Sequence, residues 1–261
     1  MINLREYKTK ATELEDYIQW CILIEDGIVL NHDGSYQQSF QYRGADMDSS
    51  TPDELVINVA RLNNCLRRIG GNWCVQVEAR REQSKNYPAK KYPDVCTALI
   101  DSERMACFAD TGNYYESKYY FTLLYLPPQD KYDKLGKVFI DQKEVENTEH
   151  DRIEMNLRTF KAEVNRVYNL FREVMPECHA LNSEETLTYL HSCVSPKKHP
   201  IATPDVCEFL NDILVDTPLH GGLHPKLGDY HLGIISVKGF PPQSTPGILD
   251  ELNRLNFNYR W

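Results

Sequence analysis

The sequence lacks the signals of membrane insertion and of export. No apolar run approaches the roughly 20 residues that a helix needs to span a bilayer. The chain begins Met-Ile-Asn-Leu-Arg-Glu-Tyr-Lys, which has no apolar segment of the kind that directs secretion. We therefore expect a cytoplasmic protein.

Motifs for nucleotide binding and hydrolysis are also absent. The Walker A pattern GxxxxGK followed by Ser or Thr does not occur, because neither Gly70-Gly71 nor Gly221-Gly222 is followed by the lysine and hydroxyl that hold a triphosphate and its magnesium. There is no GxSxG, and no GxGxxG follows a predicted strand. We expect this segment not to hydrolyse ATP by itself, and it offers no catalytic or cofactor-binding residues.

Positive charge is in deficit, with 29 Lys and Arg against 38 Asp and Glu and a formal net charge of −9. Such a surface repels the phosphate backbone, so we expect no strong nucleic-acid binding. A module that contacts transferred DNA remains an alternative, for which salt-dependent binding to single strands is the test. The eight cysteines form no CxxC pair, and in a cytoplasmic protein they are expected to be reduced core residues.

The clearest signal that is present is a strand–helix–strand unit. Residues 35–43 place Tyr36, Phe40 and Tyr42 at even spacing with polar residues between them, which predicts a strand with one buried face. Thr51 and Glu54 form a capping box at the start of an amphipathic helix, and the glycines at 70–71 are predicted to end it. Residues 72–80 then predict the next strand.

A second copy of this order occurs near the C-terminus. A predicted strand over 229–238 is followed by Ser244-Thr245-Pro246 and by apolar residues at helical spacing, from Ile248 to Leu255. Its return strand would begin near Phe257, only four residues before Trp261, so we expect a fragment of a longer protein. The predicted fold is α+β, with two related split βαβ (ferredoxin-like) lobes, a mixed or antiparallel sheet and a long packed helix.

The predicted division is an N-terminal arm and β-meander over 1–33, a first α/β lobe over 34–140, and a second over 141–261. In the arm, four apolar residues at helical spacing either pack on the chain's own domain or dock a partner: Leu4, Tyr7, Leu14 and Ile18. The meander turns at Asp26-Gly27 and Asp33-Gly34, where aspartate is common for backbone reasons.

The remaining elements follow from periodicity. A helix is predicted over 95–108 and a central strand over 118–126, while the charged residues 129–149 suggest a loop or insertion. The longest predicted helix, 152–174, has a regular apolar seam that either packs on a sheet or forms a coiled coil. Two shorter helices are predicted, one capped by Ser183 and one that opens at Thr203-Pro204.

Three histidines form the tightest cluster of metal-ligand types: His220, His224 and His231. Two histidines four residues apart can share zinc on a helix, but the glycines at 221–222 disfavour one. Turn or loop histidines are therefore the default, and a self-contained metal-dependent enzyme using this loop is the alternative function.

Several segments in combination resemble a known family. These segments are residues 26–35, the pair Thr51-Pro52 together with residues 60–64, and residues 125–128, 187–191, 227–229, 238–241 and 246–253. Together they resemble the N-terminal region of the CagE/TrbE-type family of type IV secretion ATPases, over nearly the whole chain.

The resemblance implies that assembly and ATP hydrolysis belong to different domains of the full-length protein. In that family an α+β N-terminal domain precedes a RecA-like motor domain, and this chain ends before any motor motif. The resemblance implies a non-catalytic assembly and docking domain, peripheral to the inner membrane through protein partners. Those partners are inner-membrane components of the secretion complex, its own motor domain and other subunits. ATP and magnesium are expected for the full-length protein.

Overall fold

The fold is taken from a computed structural model, which describes residues 12–44, 49–84, 87–88, 90–111, 114–128, 142–236, 238–239, 241–245 and 247–261. Within these ranges, none of the helices combines the length and the apolar character that crossing a bilayer requires. Helices and an antiparallel sheet are both present, which confirms the α+β class.

The predicted meander is confirmed. Strands β1 (Trp20–Glu25), β2 (Ile28–Asn31) and β3 (Tyr36–Arg43) pair antiparallel in sequence order. Gly27 provides the positive φ of +68° that the β1–β2 turn requires, since a side chain is strained there.

The first strand–helix–strand unit is a split βαβ motif, as predicted. Helix α1 (Pro52–Leu66) joins β3 to β4 (Trp73–Gln83), and helix α2 (Val95–Thr111) joins β4 to β5 (Tyr115–Tyr125). Strand β5 lies between β3 and β4 and is antiparallel to both, so β3 and β4 are parallel. The capping box is confirmed: Thr51 Oγ1 accepts from the Glu54 backbone N–H at 3.3 Å, and Glu54 Oε2 accepts from the Thr51 backbone N–H at 2.8 Å.

Over the residues that the structure describes, the main sheet has seven strands in the order β1-β2-β3-β5-β4-β10, with β6 (Glu177–Ala180) pairing the second half of β3. Strand β10 (Tyr259–Arg260) pairs with β4 at the opposite edge. The sheet thus draws strands from all three predicted ranges, 1–33, 34–140 and 141–261. The division of the chain at those limits stays a prediction.

Helix α3 (Gln142–Arg172) packs its apolar seam on this sheet. Phe160, Val164, Val167 and Phe171 are buried in one core with Phe40 and with other side chains of β3 and β5, which supports sheet packing over a coiled coil. The helix begins ten residues before the predicted start, so the predicted loop is wrong over 142–149. Residues 129–141 of that loop lie outside the described residues.

The predicted second βαβ unit is wrong in the residues described. The strand predicted over 229–238 is limited to β9 (Tyr230–His231), which belongs to a small sheet with β7 (Leu219–His220) and β8 (Lys226–Leu227). The helix predicted from Ile248 is a short 3-10 helix, Asp250–Arg254. The return strand exists as β10, but it completes the first sheet. The local signals of the first unit recur here, but among the described residues the segment predicted as a strand over 229–238 pairs with β8 of the small sheet and not with the main sheet.

Two shorter helices complete a second core. Helix α4 (Ser183–Val194) is capped by Asn182, whose Oδ1 accepts from the Glu185 backbone N–H at 2.9 Å, so the predicted cap at Ser183 is one residue late. Helix α5 (Leu210–Leu214) starts well after Thr203-Pro204, and the predicted start there is wrong. The buried residues of this core are Val29, Leu187, Leu190, Leu210 and Leu214.

All eight cysteines are outside disulfides, but they are not all core residues. Cys65 is buried, whereas the cysteines at 74, 96, 107 and 207 are exposed. The prediction of core positions is therefore wrong for these four, because thiols tolerate exposed strand, helix and loop positions as well as buried ones.

Candidate functional site

The structure does not bring the three candidate histidines together. His220 of β7 and His231 of β9 are both register partners of Lys226 in the intervening strand β8. Two strand spacings, about 9.6 Å, therefore separate their backbones, with an ammonium group on the strand between them. His224 lies in the exposed turn from β7 to β8. This arrangement does not support metal chemistry at these residues.

The N-terminal apolar stripe is described only in its second half. Leu4 and Tyr7 lie outside the described residues. Leu14 begins a short 3-10 helix, Leu14–Tyr17, and is half-buried, while Ile18 is only 9% exposed. Ile18 thus packs within the chain's own fold, and docking through this stripe stays a prediction.

Helix α2 exposes more apolar surface than a helix on the surface of a folded protein normally does. Val95, Leu99, Ile100 and Met105 are 81%, 63%, 62% and 47% exposed. At 100° per residue these four positions spread over more than half of the helix circumference. We call these four side chains the α2 surface.

The middle of α2 adjoins an apolar cavity of about 490 Å³. The ring of Phe108 contacts Tyr87 and Tyr114, with centroids 5.6 and 4.5 Å apart, and these aromatic contacts hold the helix against its flanking segments. Leu99 and Ile100 lie on the cavity wall, so the cavity opens beside the α2 surface. A cavity of this kind can receive an apolar side chain of another protein segment.

A polar groove lies between β4 and helix α4. The guanidinium of Arg80 pairs with Glu82 and donates to Ser192 Oγ at 2.5 Å. The Nζ of Lys198, from the segment after α4, lies 3.2 Å from Glu82 Oε2. Burial opposes ionisation of Glu82, but Arg80 and Lys198 outweigh it and hold the pKa of this carboxyl below its ordinary value. The groove encloses a cavity of about 490 Å³.

Next to this groove three metal-ligand side chains converge: His191, His199 and Asp216. Each offers one ligand atom, and these atoms all lie within 4.8 Å of one another. His191 Nε2 is 3.4 Å from Asp216 Oδ2, and the two imidazole rings are 4.6 Å apart at an angle of 61°. Among the residues that the structure describes, no other group of three His, Cys, Asp or Glu converges in this way.

The environment of Asp216 keeps its carboxyl ionised. Burial opposes ionisation, but polar contacts with Ser195, Lys197, Thr217 and His191 outweigh it and hold the pKa of the carboxyl well below its usual range. Lys197 Nζ lies 3.0 Å from Asp216 Oδ2. Thr217 Oγ1 donates to Asp216 Oδ1 at 2.8 Å.

Sequence reasoning missed this cluster. His191 is eight residues before His199 and 25 before Asp216, spacings that match no recognised ligand motif. His191 also continues the apolar stripe of α4, after Leu187 and Leu190, which is typical of a core histidine. Only the folding of the 195–217 segment back against α4 brings the three side chains together.

Comparisons with known proteins agree on one family. The family described as type IV secretion system ATPase VirB4/TrbE, N-terminal domain, matches residues 27–132. The conjugal transfer protein TrbE of Rhizobium radiobacter is 28% identical over 278 aligned residues, which cover 100% of this chain and 33% of the relative. The chain thus spans about a third of the length of this relative.

A second relative, from Sinorhizobium fredii (strain NBRC 101917 / NGR234), is divided into segments. One segment of this probable conjugal transfer protein TrbE is 33% identical over 134 residues, 50% of this chain and 90% of the segment. A further segment from the same strain is 35% identical over 78 residues, 30% of this chain and 12% of that segment. The chain belongs to the VirB4/TrbE family of type IV secretion ATPases and contains the N-terminal domain of that family.

Proposed function

We propose that this chain is the non-catalytic assembly and docking domain of an ATPase that energises conjugal transfer of DNA or protein. The observation that carries this proposal is the α2 surface, which exposes four large apolar side chains on one helix. The relatives named for conjugal transfer support the choice of system.

The apolar character of the α2 surface favours a permanent partner. Burying a large apolar side chain contributes about 1.5–3 kcal/mol, so leaving four of them in water is unfavourable. Exposed apolar patches of this kind mark interaction sites, and permanent interfaces are more apolar than transient ones. A transient partner would leave these side chains in water for part of each working cycle.

The occupant that we assign to the α2 surface is the remainder of the ATPase polypeptide. The Rhizobium radiobacter relative is about three times as long as this chain, so it contains a large additional region. A covalently linked partner is present at a high effective concentration, which favours an interface within one protein. This remainder holds the motor, where ATP and magnesium bind, and inner-membrane components of the complex hold the assembled ATPase at the cytoplasmic face.

Site-specific photo-crosslinking in the full-length ATPase tests this assignment. A photoreactive residue at Ile100 is expected to crosslink to the remainder of the same polypeptide, as mapped by peptide mass spectrometry. Ile153 is a matched control, because it is also apolar and 58% exposed but lies on α3. Crosslinks from Ile100 to another protein of the secretion complex, or yields no higher than from Ile153, would contradict the assignment.

A nucleotide assay tests the non-catalytic role separately. The purified 261-residue chain is expected to show no ATP turnover above a buffer control, whereas the full-length ATPase is expected to hydrolyse ATP with magnesium. Turnover by the short chain at rates typical of motor proteins would exclude a non-catalytic domain, whatever covers α2.

A further inference from the structure

We propose that His191, His199 and Asp216 bind a divalent transition-metal ion, for which Zn²⁺ is the best match. Two imidazole nitrogens and one carboxylate oxygen suit Zn²⁺, whereas Mg²⁺ and Ca²⁺ prefer oxygen ligands alone. The three ligand atoms lie within 4.8 Å of one another before any ion is bound. Small side-chain movements therefore suffice to bring all three to coordination distance.

The buried nitrogen of His191 points to a missing partner. The residue is only 1% exposed, and its Nε2 faces the Asp216 carboxylate at 3.4 Å without forming a well-aligned hydrogen bond. A buried polar atom without a well-formed hydrogen bond is energetically unfavourable. A metal ion at this position would satisfy the nitrogen lone pair and remove that cost.

The geometry between His191 and Asp216 fits a shared ion. Zinc bonds to nitrogen and oxygen are about 2.0–2.1 Å long, so two ligand atoms on a tetrahedral ion lie about 3.3 Å apart. His191 Nε2 and Asp216 Oδ2 are 3.4 Å apart. Thr217 donates to the other carboxylate oxygen, Oδ1, at 2.8 Å and so orients the ligand as hydrogen-bonding neighbours of metal sites do.

His199 completes the set from a different segment. It lies five residues after the end of α4 and is exposed, so its ring can adjust around an ion. Three protein ligands leave a fourth zinc position for water or another ligand. His191 and His199 both lie on the wall of the groove cavity of about 490 Å³, which has room for such a ligand.

Lys197 is the competitor for this site. Its Nζ lies 3.0 Å from Asp216 Oδ2, the oxygen that a metal would use. An ion must displace this ammonium, whose side chain is 55% exposed and therefore free to move into solvent. Its second contact, 3.1 Å from the Asp216 carbonyl oxygen, does not involve the carboxylate. We therefore expect removal of Lys197 to strengthen binding.

The test is a zinc titration of the purified, chelator-treated 261-residue chain by calorimetry, with metal content after dialysis measured by mass spectrometry. One equivalent of zinc is expected to bind. His199→Ala and Asp216→Asn are expected to weaken binding at least tenfold, and Lys197→Met is expected to tighten it at least threefold. His199 and Asp216 are exposed, so these variants avoid the folding defect expected from changing the buried His191.

His220→Ala and His224→Ala are matched controls, since both histidines are exposed and lie outside the cluster. They are expected to bind zinc like the unmodified chain. Absence of stoichiometric zinc, equal losses in the controls, or unchanged affinity in His199→Ala and Asp216→Asn would each overturn the proposal. Zinc binding is independent of what covers α2, so its failure would leave the proposed assembly function unaffected.

Discussion

The carboxylate of Asp26 accepts two hydrogen bonds from Ser183, one from its backbone N–H and one from its hydroxyl, both at 2.7 Å. Asp26 lies in the β1–β2 turn, and Ser183 is the first residue of helix α4, 157 positions later. The adjacent Gly27 donates its backbone N–H to Ser183 Oγ at 3.2 Å. This contact fixes the start of α4 against the meander and closes one side of the second core.

Gly27→Ala is expected to lower the free energy of unfolding by about 3 kcal/mol or more. An added Cβ would lie 2.1 Å from the backbone oxygen of Leu181, and the φ of +68° is itself unfavourable for alanine. Urea denaturation of the purified chain measures the change. Gly34→Ala is the control: its φ is +83°, but no atom lies within 4 Å of the added Cβ. It is expected to cost only about 1 kcal/mol, and equal losses would contradict the packing at Gly27.

Phe160→Ala is expected to cost about 3–5 kcal/mol, because it leaves a cavity between α3 and the sheet. Phe160 is fully buried, and its ring lies 5.7 Å from those of Tyr36 and Trp73. Thermal and urea denaturation measure the loss. Ile153→Ala on the same helix is the control, since Ile153 is 58% exposed and is expected to change stability by no more than about 0.5 kcal/mol. Similar small effects for both would contradict sheet packing of α3.

Arg260→Ala is expected to cost about 2 kcal/mol, because the partly buried carboxylate of Glu78 loses its oppositely charged partner. The Arg260 guanidinium pairs with Glu78 and donates to the Ser192 carbonyl oxygen at 2.6 Å, which joins β10, β4 and α4. Arg254→Ala is the control, since its pair with Glu251 is 71% and 80% exposed and is expected to contribute at most about 0.5 kcal/mol. Urea denaturation of the two variants measures both losses. Equal losses would show that the contacts of Arg260 do not stabilise the pairing of β10 with β4.

Glu82 is expected to make stability depend on pH in the acidic range. Burial raises the pKa of the Glu82 carboxyl, but Arg80 of the same strand and Lys198 of the segment after α4 outweigh burial and hold the folded-state pKa below the ordinary value of 4.5. Tyr120 of β5 also faces this carboxyl. The contribution of the ionised Glu82 carboxylate to the free energy of unfolding is therefore complete above the ordinary pKa, and it is lost as the pH falls through the folded-state pKa.

Urea denaturation of Glu82→Gln across this range measures the effect. The variant is expected to be less stable than the unmodified chain at neutral pH, with the difference shrinking as acid is added, because glutamine does not titrate. A difference that stays constant down to about pH 3 would show that Glu82 contributes through packing and not through its charge.

Features that depend on a few neighbouring residues followed from the sequence. The capping box at Thr51 and Glu54, the Asp26-Gly27 turn and the strand up to Tyr125 are present as predicted. Each rests on a local preference, such as a side chain that satisfies a free helix N–H or a glycine that accepts a positive φ. The buried side of α3 also followed, because Phe160, Val164 and Phe171 recur along one stripe of the helix.

Features that depend on distant residues were decided by the tertiary structure. The second copy of the strand–helix pattern had the same local signals as the first, yet β10 pairs with β4 because that edge of the first sheet was available to it. The meeting of His191, His199 and Asp216, and of Asp26 with Ser183, likewise required the folded chain. Local chemistry by itself determined the turns, the caps and the amphipathic faces, whereas strand partners and side-chain clusters were decided by which surfaces packing left open.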